Sequence, residues 1–360
     1  MIKRGFISLC ATLVLLVLGS CTRTEQPTGT VTLTFTTGEI VTRATTPGNG
    51  DPADGGGIAF DEGNPDLVIL ITRNGSIVSS YERANSQKAT ATIESEESGY
   101  KRKRIRVTFT DDNLTQGDYT VYAVANTKNG GSTVWGAPSS WGGVASAQFS
   151  ELTGNNRPVP AGDPPRMPLS AKGTLTVKST GNGSVSLELL RCVAKVTVKF
   201  KNVTGGTLSL SNVNLSISDM NPTRGYLIPP SGTDSAGDFR SLVMSYDSSV
   251  SILESGTEIP GGPYYVFPSQ AQGGIYYCST QFNWELTKNE TNESGSYANG
   301  IYSEPSTYGL PVFDTNFEDI PALLRNQHLT IEIRIGEGSD VSFNFIVGDW
   351  EEKTESVEFN

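Results

Sequence analysis

The chain has one histidine, His328, in 360 residues. It opens the alternating run His328-Leu329-Thr330-Ile331-Glu332-Ile333, where a strand-end position is the plain reading. Histidine metal sites and Ser-His-Asp chemistry need further partners in a defined geometry, and His328 has no visible second member. Aspartate and glutamate are too widespread to single out a catalytic pair. The expectations are therefore no catalytic residue, no metal and no cofactor. Basic charge is also short: 27 Lys and Arg stand against 38 Asp and Glu, a net charge of -11. That balance argues against a nucleic-acid binder, which needs a basic face for phosphates. Amphipathic helices of ordinary length are missing as well. The best helical stretch is Phe317 to Arg325.

What the chain has in quantity is turn chemistry: 39 glycines and 19 prolines, with only 18% charged residues. Many short strands joined by turns fit that composition, so the fold class expected is all-β. The length allows two domains, each with its own core.

Met1 to Ser20 reads as a signal peptide. Lys3 and Arg4 form its basic region, and Phe6 to Leu18 an apolar region too short for a comfortable membrane span. It closes with Leu18-Gly19-Ser20-Cys21, small residues before a cysteine, as in a bacterial lipobox. Cys21 is the expected lipidation site. Acyl chains bury at about 0.8 kcal/mol per CH2, enough when several are present to hold a precursor on a membrane. Of the four cysteines, Cys10 leaves with the leader and Cys21 takes the lipid. Cys192 and Cys278 remain, as a disulfide in an exported protein or as two buried thiols.

Directly after Cys21, the residues Val31, Leu33 and Phe35 alternate with Thr32, Thr34 and Thr36, the pattern of a half-buried strand. Arg43-Ala44 then heads a Gly/Pro/Asp-rich segment, Thr45 to Asp61, expected to be an exposed loop open to proteases. Asp51 and Asp54 in it lack the spacing of a calcium loop. An anchor, a strand and a cuttable bond in succession point to a strand made to be removed.

Further along, Leu67 to Ile71 and Ile77 to Tyr81 flank Asn74-Gly75, whose positive φ angles suit a tight hairpin. Ile105 to Thr110 alternates, and the basic cluster Lys101 to Arg106 is expected on a solvated edge strand. Gly117 to Asn126 is a turn and a strand. Trp135 and Trp141 in the Gly/Ser/Pro-rich stretch Thr127 to Pro165 either pin a long loop or offer a platform for sugar rings. Strands are expected again at Leu175 to Val177 and Val185 to Leu190. The run then continues through Arg191 to Phe200, as one β segment serving two halves that divide near Leu190. The second half repeats the theme at Leu208 to Leu210, Val213 to Ile217, Tyr264 to Phe267, Ile275 to Leu286, Leu329 to Ile335 and Val341 to Trp350.

Taken together, these pieces resemble the fimbrillins, the type V pilus subunits of Bacteroidales. The resemblance rests on the lipobox, the strand before Thr42-Arg43-Ala44, the Asn74-Gly75 hairpin and Gly117 to Asn126. It also rests on Met167-Pro168-Leu169-Ser170, Leu189 to Val196, Tyr265-Val266-Phe267-Pro268 and Ile346-Val347-Gly348-Asp349-Trp350. It implies two transthyretin-like β-sandwich domains in tandem. The divisions are a leader at 1–20, a lipidated propeptide with the removable strand at 21–43, and domains at 44–190 and 191–360, the latter ending in a tail. It implies export to the outer membrane as a lipoprotein, cleavage between Arg43 and Ala44 by a trypsin-like protease, and filling of the emptied groove by a C-terminal strand of another pilin. The product is a cell-surface fimbria serving adhesion to a host or bacterial surface ligand. Val357 and Phe359, in the short tail Glu351 to Asn360, are the candidate donor residues, which leaves stalk, tip and anchor positions open. The rival readings are a β-sandwich lipoprotein that binds glycans through Trp135 and Trp141, and a secreted hydrolase with two carboxylates.

Overall fold

Apolar residues at every second position bury one face of a strand, and the chain answers with strands throughout. The structure, a computed structural model, describes residues 29–37, 60–61, 64–82, 88–94, 104–126, 128–129, 132–133, 167–229, 235–258, 262–270, 276, 278–288, 291–299, 322–336 and 341–349. No helix occurs among them. The first half holds β1 (Val31–Thr37), β2 (Phe60–Asp61), β3 (Asn64–Pro65), β4 (Leu67–Arg73), β5 (Ser76–Glu82), β6 (Ala89–Glu94), β7 (Arg104–Phe109), β8 (Gly117–Ala125), β9 (Lys128–Asn129), β10 (Ser132–Thr133), β11 (Leu169–Val177) and β12 (Gly183–Arg191). The second half holds β13 (Ala194–Asn202), β14 (Thr207–Gly225), β15 (Ser235–Tyr246), β16 (Val250–Ile252), β17 (Thr257–Glu258), β18 (Tyr264–Val266), β19 (Ser269–Gln270), β20 (Cys278–Lys288), β21 (Thr291–Asn299), β22 (Ala322–Leu323), β23 (Gln327–Ile335) and β24 (Val341–Asp349).

Eight strands of the first half form one sheet in the order β5-β4-β8-β11-β12-β1-β7-β6. It curls on itself at the β11–β12 hairpin. These two strands pair at Leu169↔Arg191 and Ser170↔Leu190, and again at Val177↔Gly183, with the ladder open between. Leu187 lies over Gly173, where a Cβ would stand 2.3 Å from Leu187 Cδ2. The curl brings Ile69, Val121 and Leu175 from one arm against Val31, Leu33, Phe35, Ile105 and Val107 from the other, in one core cluster. In the second half, a sheet ordered β17-β13-β23-β24 faces another ordered β15-β14-β20-β21, and both contribute to a separate core. Phe200 meets Phe282 edge-on there, ring centroids 5.7 Å apart.

A third, smaller cluster joins the halves. Val68, Leu70 and Val124, on the outward side of β4 and β8, pack with Met167, Cys192 and Val193 and with Leu227, Ile228, Tyr265 and Phe267. This explains why Leu67 to Ile71 is continuously apolar: both faces of β4 are covered. Arg325 ties the same region by donating to Ser170 Oγ at 2.9 Å and to the Tyr226 carbonyl at 3.1 Å.

The tight hairpin is present, with Asn74 and Gly75 at φ 51° and 79°. Three expectations need correction. β7, which carries Arg104 and Arg106, is not an edge strand, because the polar strand β6 pairs along its outer side. The run from Val185 to Phe200 is not one continuous β segment: Cys192 and Val193 bend the chain and pass it from one sheet to another. The helical stretch fails where it is described, since Ala322–Leu323 is a short strand paired with Ser269–Gln270.

Candidate functional site

β1 occupies an interior slot in the first sheet. Its seven residues pair in parallel with β12, from Val31↔Gly183 to Thr37↔Leu189. On the other side it runs antiparallel to β7, from Val31↔Phe109 to Thr36↔Arg104. At its entrance the Thr30 amide donates to Asn182 Oδ1 at 3.0 Å. Val31, Leu33 and Phe35 point inward and are buried, Leu33 and Phe35 completely. Thr32, Thr34 and Thr36 face outward and are half-buried.

The strand therefore closes the core and bridges the sheet. Without it, β12 and β7 would stand two ladder spacings apart, about 9.6 Å. β12 would keep only its three end pairs with β11. β7 and β6 would keep each other as a two-stranded piece.

The outer rims of the slot differ in charge. On β7 the residues opposite Thr32, Thr34 and Thr36 are Thr108, Arg106 and Arg104. On β12 they are Ser184, Ser186 and Glu188. Arg104, Arg106, Ser186 and Glu188 are exposed. Just beyond the upper end of β7, Asp111 is buried and accepts hydrogen bonds from Ser79 Oγ at 2.8 Å, Lys88 Nζ at 2.9 Å and the Asn113 amide at 3.1 Å. Burial pushes this carboxyl up, but the hydrogen bonds from Lys88, Ser79 and Asn113 outweigh it and hold it below the usual aspartate value. Asp111 thus fastens the loop after β7 to β5 and to the start of β6.

Elsewhere the polar groups read as structural. His328 is buried on β23, with Nε2 2.8 Å from Thr197 Oγ1. Cys192 and Cys278 are both buried thiols and are not joined in a disulfide. The Cys192 thiol donates to Ser170 Oγ at 3.3 Å. Burial pushes the Cys278 thiol up to about 12. Among the described residues, no group of three His, Cys, Asp or Glu is placed to hold a metal ion, and no helix is long and apolar enough to cross a membrane.

Cys21, Arg43, Ala44, Val357 and Phe359 lie outside the described residues, as do Trp135, Trp141, Asp51 and Asp54. What sequence reasoning missed is the wall of the slot: the parallel partner β12 and the outward arginines. The alternation Arg104-Ile105-Arg106 carries a signal for the arginines; nothing local signals the parallel pairing.

Several solved structures are similar to this chain at low identity. A cell adhesion candidate from Parabacteroides distasonis is 11% identical with a TM-score of 0.47, covering 91% of this chain and 99% of that one. Another from Bacteroides eggerthii is 12% identical with a TM-score of 0.47, covering 90% and 96%. The tip fimbrial protein Mfa3 from Porphyromonas gingivalis, with C-terminal truncation, is 12% identical with a TM-score of 0.40, covering 89% and 100%. No curated protein matches the sequence. The model of the fimbrillin-A associated anchor proteins Mfa1 and Mfa2 matches residues 23–235, well over half of the chain, and the protein belongs to that fimbrial family.

Proposed function

We propose that this protein is a subunit of cell-surface fimbriae whose first strand is a temporary occupant of its slot. It is exported as a lipoprotein acylated on Cys21 and carried to the outer membrane. A trypsin-like protease cuts between Arg43 and Ala44. The segment 21–43 leaves with the lipid, and the vacated slot takes a strand from another fimbrial subunit. The body is two transthyretin-like β-sandwich units dividing near Leu190, and its role is structural and adhesive rather than enzymatic. The tail with Val357 and Phe359 is a candidate strand for a neighbour's slot.

The observation that carries this reading is the position of β1. It is an interior strand with a fully buried inner face, and Arg43 follows its last residue, Thr37, by only six positions. Burying three such side chains stabilises by roughly 1.5–3 kcal/mol each, about 5–9 kcal/mol in all. A whole domain is stable by only about 5–15 kcal/mol. A subunit stripped of β1 therefore has a strong drive to take in another strand, by the β-strand addition known in other recognition systems. The free strand edges left on β12 and β7 add to it.

Limited trypsin treatment of the full chain, followed by N-terminal sequencing, tests the reading. The expected product starts at Ala44 and assembles, whereas Arg43→Ala stays uncut and unassembled with its fold intact. The family description favours one second reading, an anchor that keeps its first strand and its lipid. Assembled material that still begins at Cys21, or normal assembly of Arg43→Ala, decides for the anchor.

A further inference from the structure

The outer face of the β1 slot differs in charge from one position to the next. Thr32 sits between Thr108 and Ser184, both neutral. Thr36 sits between Arg104 and Glu188, which offset each other for any charge placed there. Thr34 sits between Arg106 and Ser186, so its surroundings in the ladder are basic on one side and neutral on the other. The next strand out does not change this, because Arg106 pairs with Thr92 on β6, which is neutral. Inside, the flanking positions Leu33 and Phe35 demand apolar side chains.

We propose that Arg106 is a specificity-determining residue of the slot: it favours an incoming strand carrying an apolar–acidic–apolar triplet, the acid in Thr34's place, supplied by a different fimbrial subunit. This rests on the reading that β1 is replaced. Directly opposed opposite charges on neighbouring strands stabilise a sheet, and like charges destabilise it. Arg106 already takes part in an interaction, so the effect is a difference between occupants rather than the filling of a vacant charge. This chain's own tail contains such a triplet, Val357-Glu358-Phe359. Glu355, two residues earlier, would fall on Val31's buried position if the tail ran in the direction of β1. In that direction the tail does not satisfy all three inner positions, which favours a donor from another fimbrial subunit.

Two experiments separate this proposal from the replacement reading. In the uncut full chain, Thr34→Glu and Thr34→Lys are compared by denaturant unfolding, alone and with Arg106→Gln. The Glu variant should have the more favourable folding constant by about two- to five-fold, and Arg106→Gln should abolish the difference. The net charge of -11 works the other way, since a general field would favour lysine, so the sign is diagnostic. The same exchange at Thr32 should show no preference for Glu. Equal stability of the Glu and Lys variants, or a preference that survives Arg106→Gln, overturns the proposal. In the second experiment, the trypsin-cleaved protein is titrated with synthetic peptides of residues 29–37 carrying Thr34→Glu or Thr34→Lys. Tighter binding of the Glu peptide, lost in Arg106→Gln, supports the proposal. Equal binding of the two overturns it and leaves replacement standing. If neither peptide binds, the replacement reading fails, and the incoming partner with it, even where the first experiment succeeds.

Discussion

β1 and β13 hold corresponding places in the two halves. Each is the first strand of its half and lies inside its sheet. Each runs parallel to a strand much later in sequence, β12 for β1 and β23 for β13, and antiparallel to a neighbour on its other side. Their inner faces are equally buried: Val31, Leu33 and Phe35 in one, Ala194, Val196, Val198 and Phe200 in the other. The tethers differ. β13 follows β12 after two residues, Cys192 and Val193, both packed between the halves. At its far end Asn202 donates to the Gly206 carbonyl at 2.7 Å and accepts from the Thr204 amide at 3.0 Å and its hydroxyl at 2.6 Å. β1 has the Thr30–Asn182 contact at its start, and Arg43-Ala44 in the stretch after its end. Since burial is alike in the two strands, what would set β1 apart on the proposed reading is the Arg43-Ala44 bond that follows it in the sequence.

The strongest way to break this comparison is to remove one large side chain from each strand. Phe35→Ala and Phe200→Ala should each cost about 3–5 kcal/mol in the uncut protein, since both rings are fully buried. After cleavage at Arg43 and release of β1, Phe200→Ala should cost the same while Phe35→Ala costs nothing. Urea unfolding of both variants before and after cleavage measures this. A persisting penalty for Phe35→Ala would mean that β1 stays in its slot, and the two strands would then be equivalent.

A smaller effect concerns the walls. β12 pairs with β1 along seven residues and with β11 at only three positions. Release of β1 should therefore speed amide exchange at Ser184 to Glu188 by at least about tenfold, a loss of roughly 1.4 kcal/mol of local protection. β23, the parallel partner of β13, should keep its protection. Unchanged exchange in β12 would show that its slower opening is governed by the core beneath it rather than by the ladder to β1.

How much of this was legible in the sequence depends on which residues announce a strand. β1, β7 and β23 alternate cleanly, because each has one face on a core and one outside, and periodicity reports that; the β4–β5 hairpin is announced instead by Asn74-Gly75. β21 gives no such signal, because its stretch TNESGSYAN is largely polar and lies at an edge of its sheet, where pairing on one side needs little apolar surface; β15, at the other edge, does alternate at Leu242 and Met244, but only over a short stretch. Edge protection also explains the misplaced basic run. Charge on a strand suggests an open edge, but β6 with its threonines covers β7. The inner face of the slot was readable at Val31, Leu33 and Phe35. Its walls were not, since Thr34 meets Ser186 across 152 positions of sequence, a pairing that only the curl of the whole sheet brings about.

The smallest expected effect tests how far the first half depends on β1. The partners of Asp111 are Ser79 on β5, Lys88 just before β6 and the backbone of its own loop, and none of them belongs to β1. Its carboxyl titrates below the ordinary value of 3.8 in the fold. A group with a depressed folded value adds stability that is fully present above the unfolded value and is lost as pH falls through the folded one. Asp111→Asn should therefore cost about 1 kcal/mol at pH 7, the scale of a hydrogen-bonded carboxylate. The gap should begin to shrink as pH falls below about 3.8 and close only below the lower folded value, where the folded wild-type side chain is itself neutral. Denaturation midpoints at pH 7, 5 and 3 give the curve. The curve should be the same after β1 is released, because the knot that Asp111 ties joins strands that stay behind. If the gap at pH 7 vanishes on release, the rim has collapsed with the slot, and β1 supports the whole half rather than its own place in it.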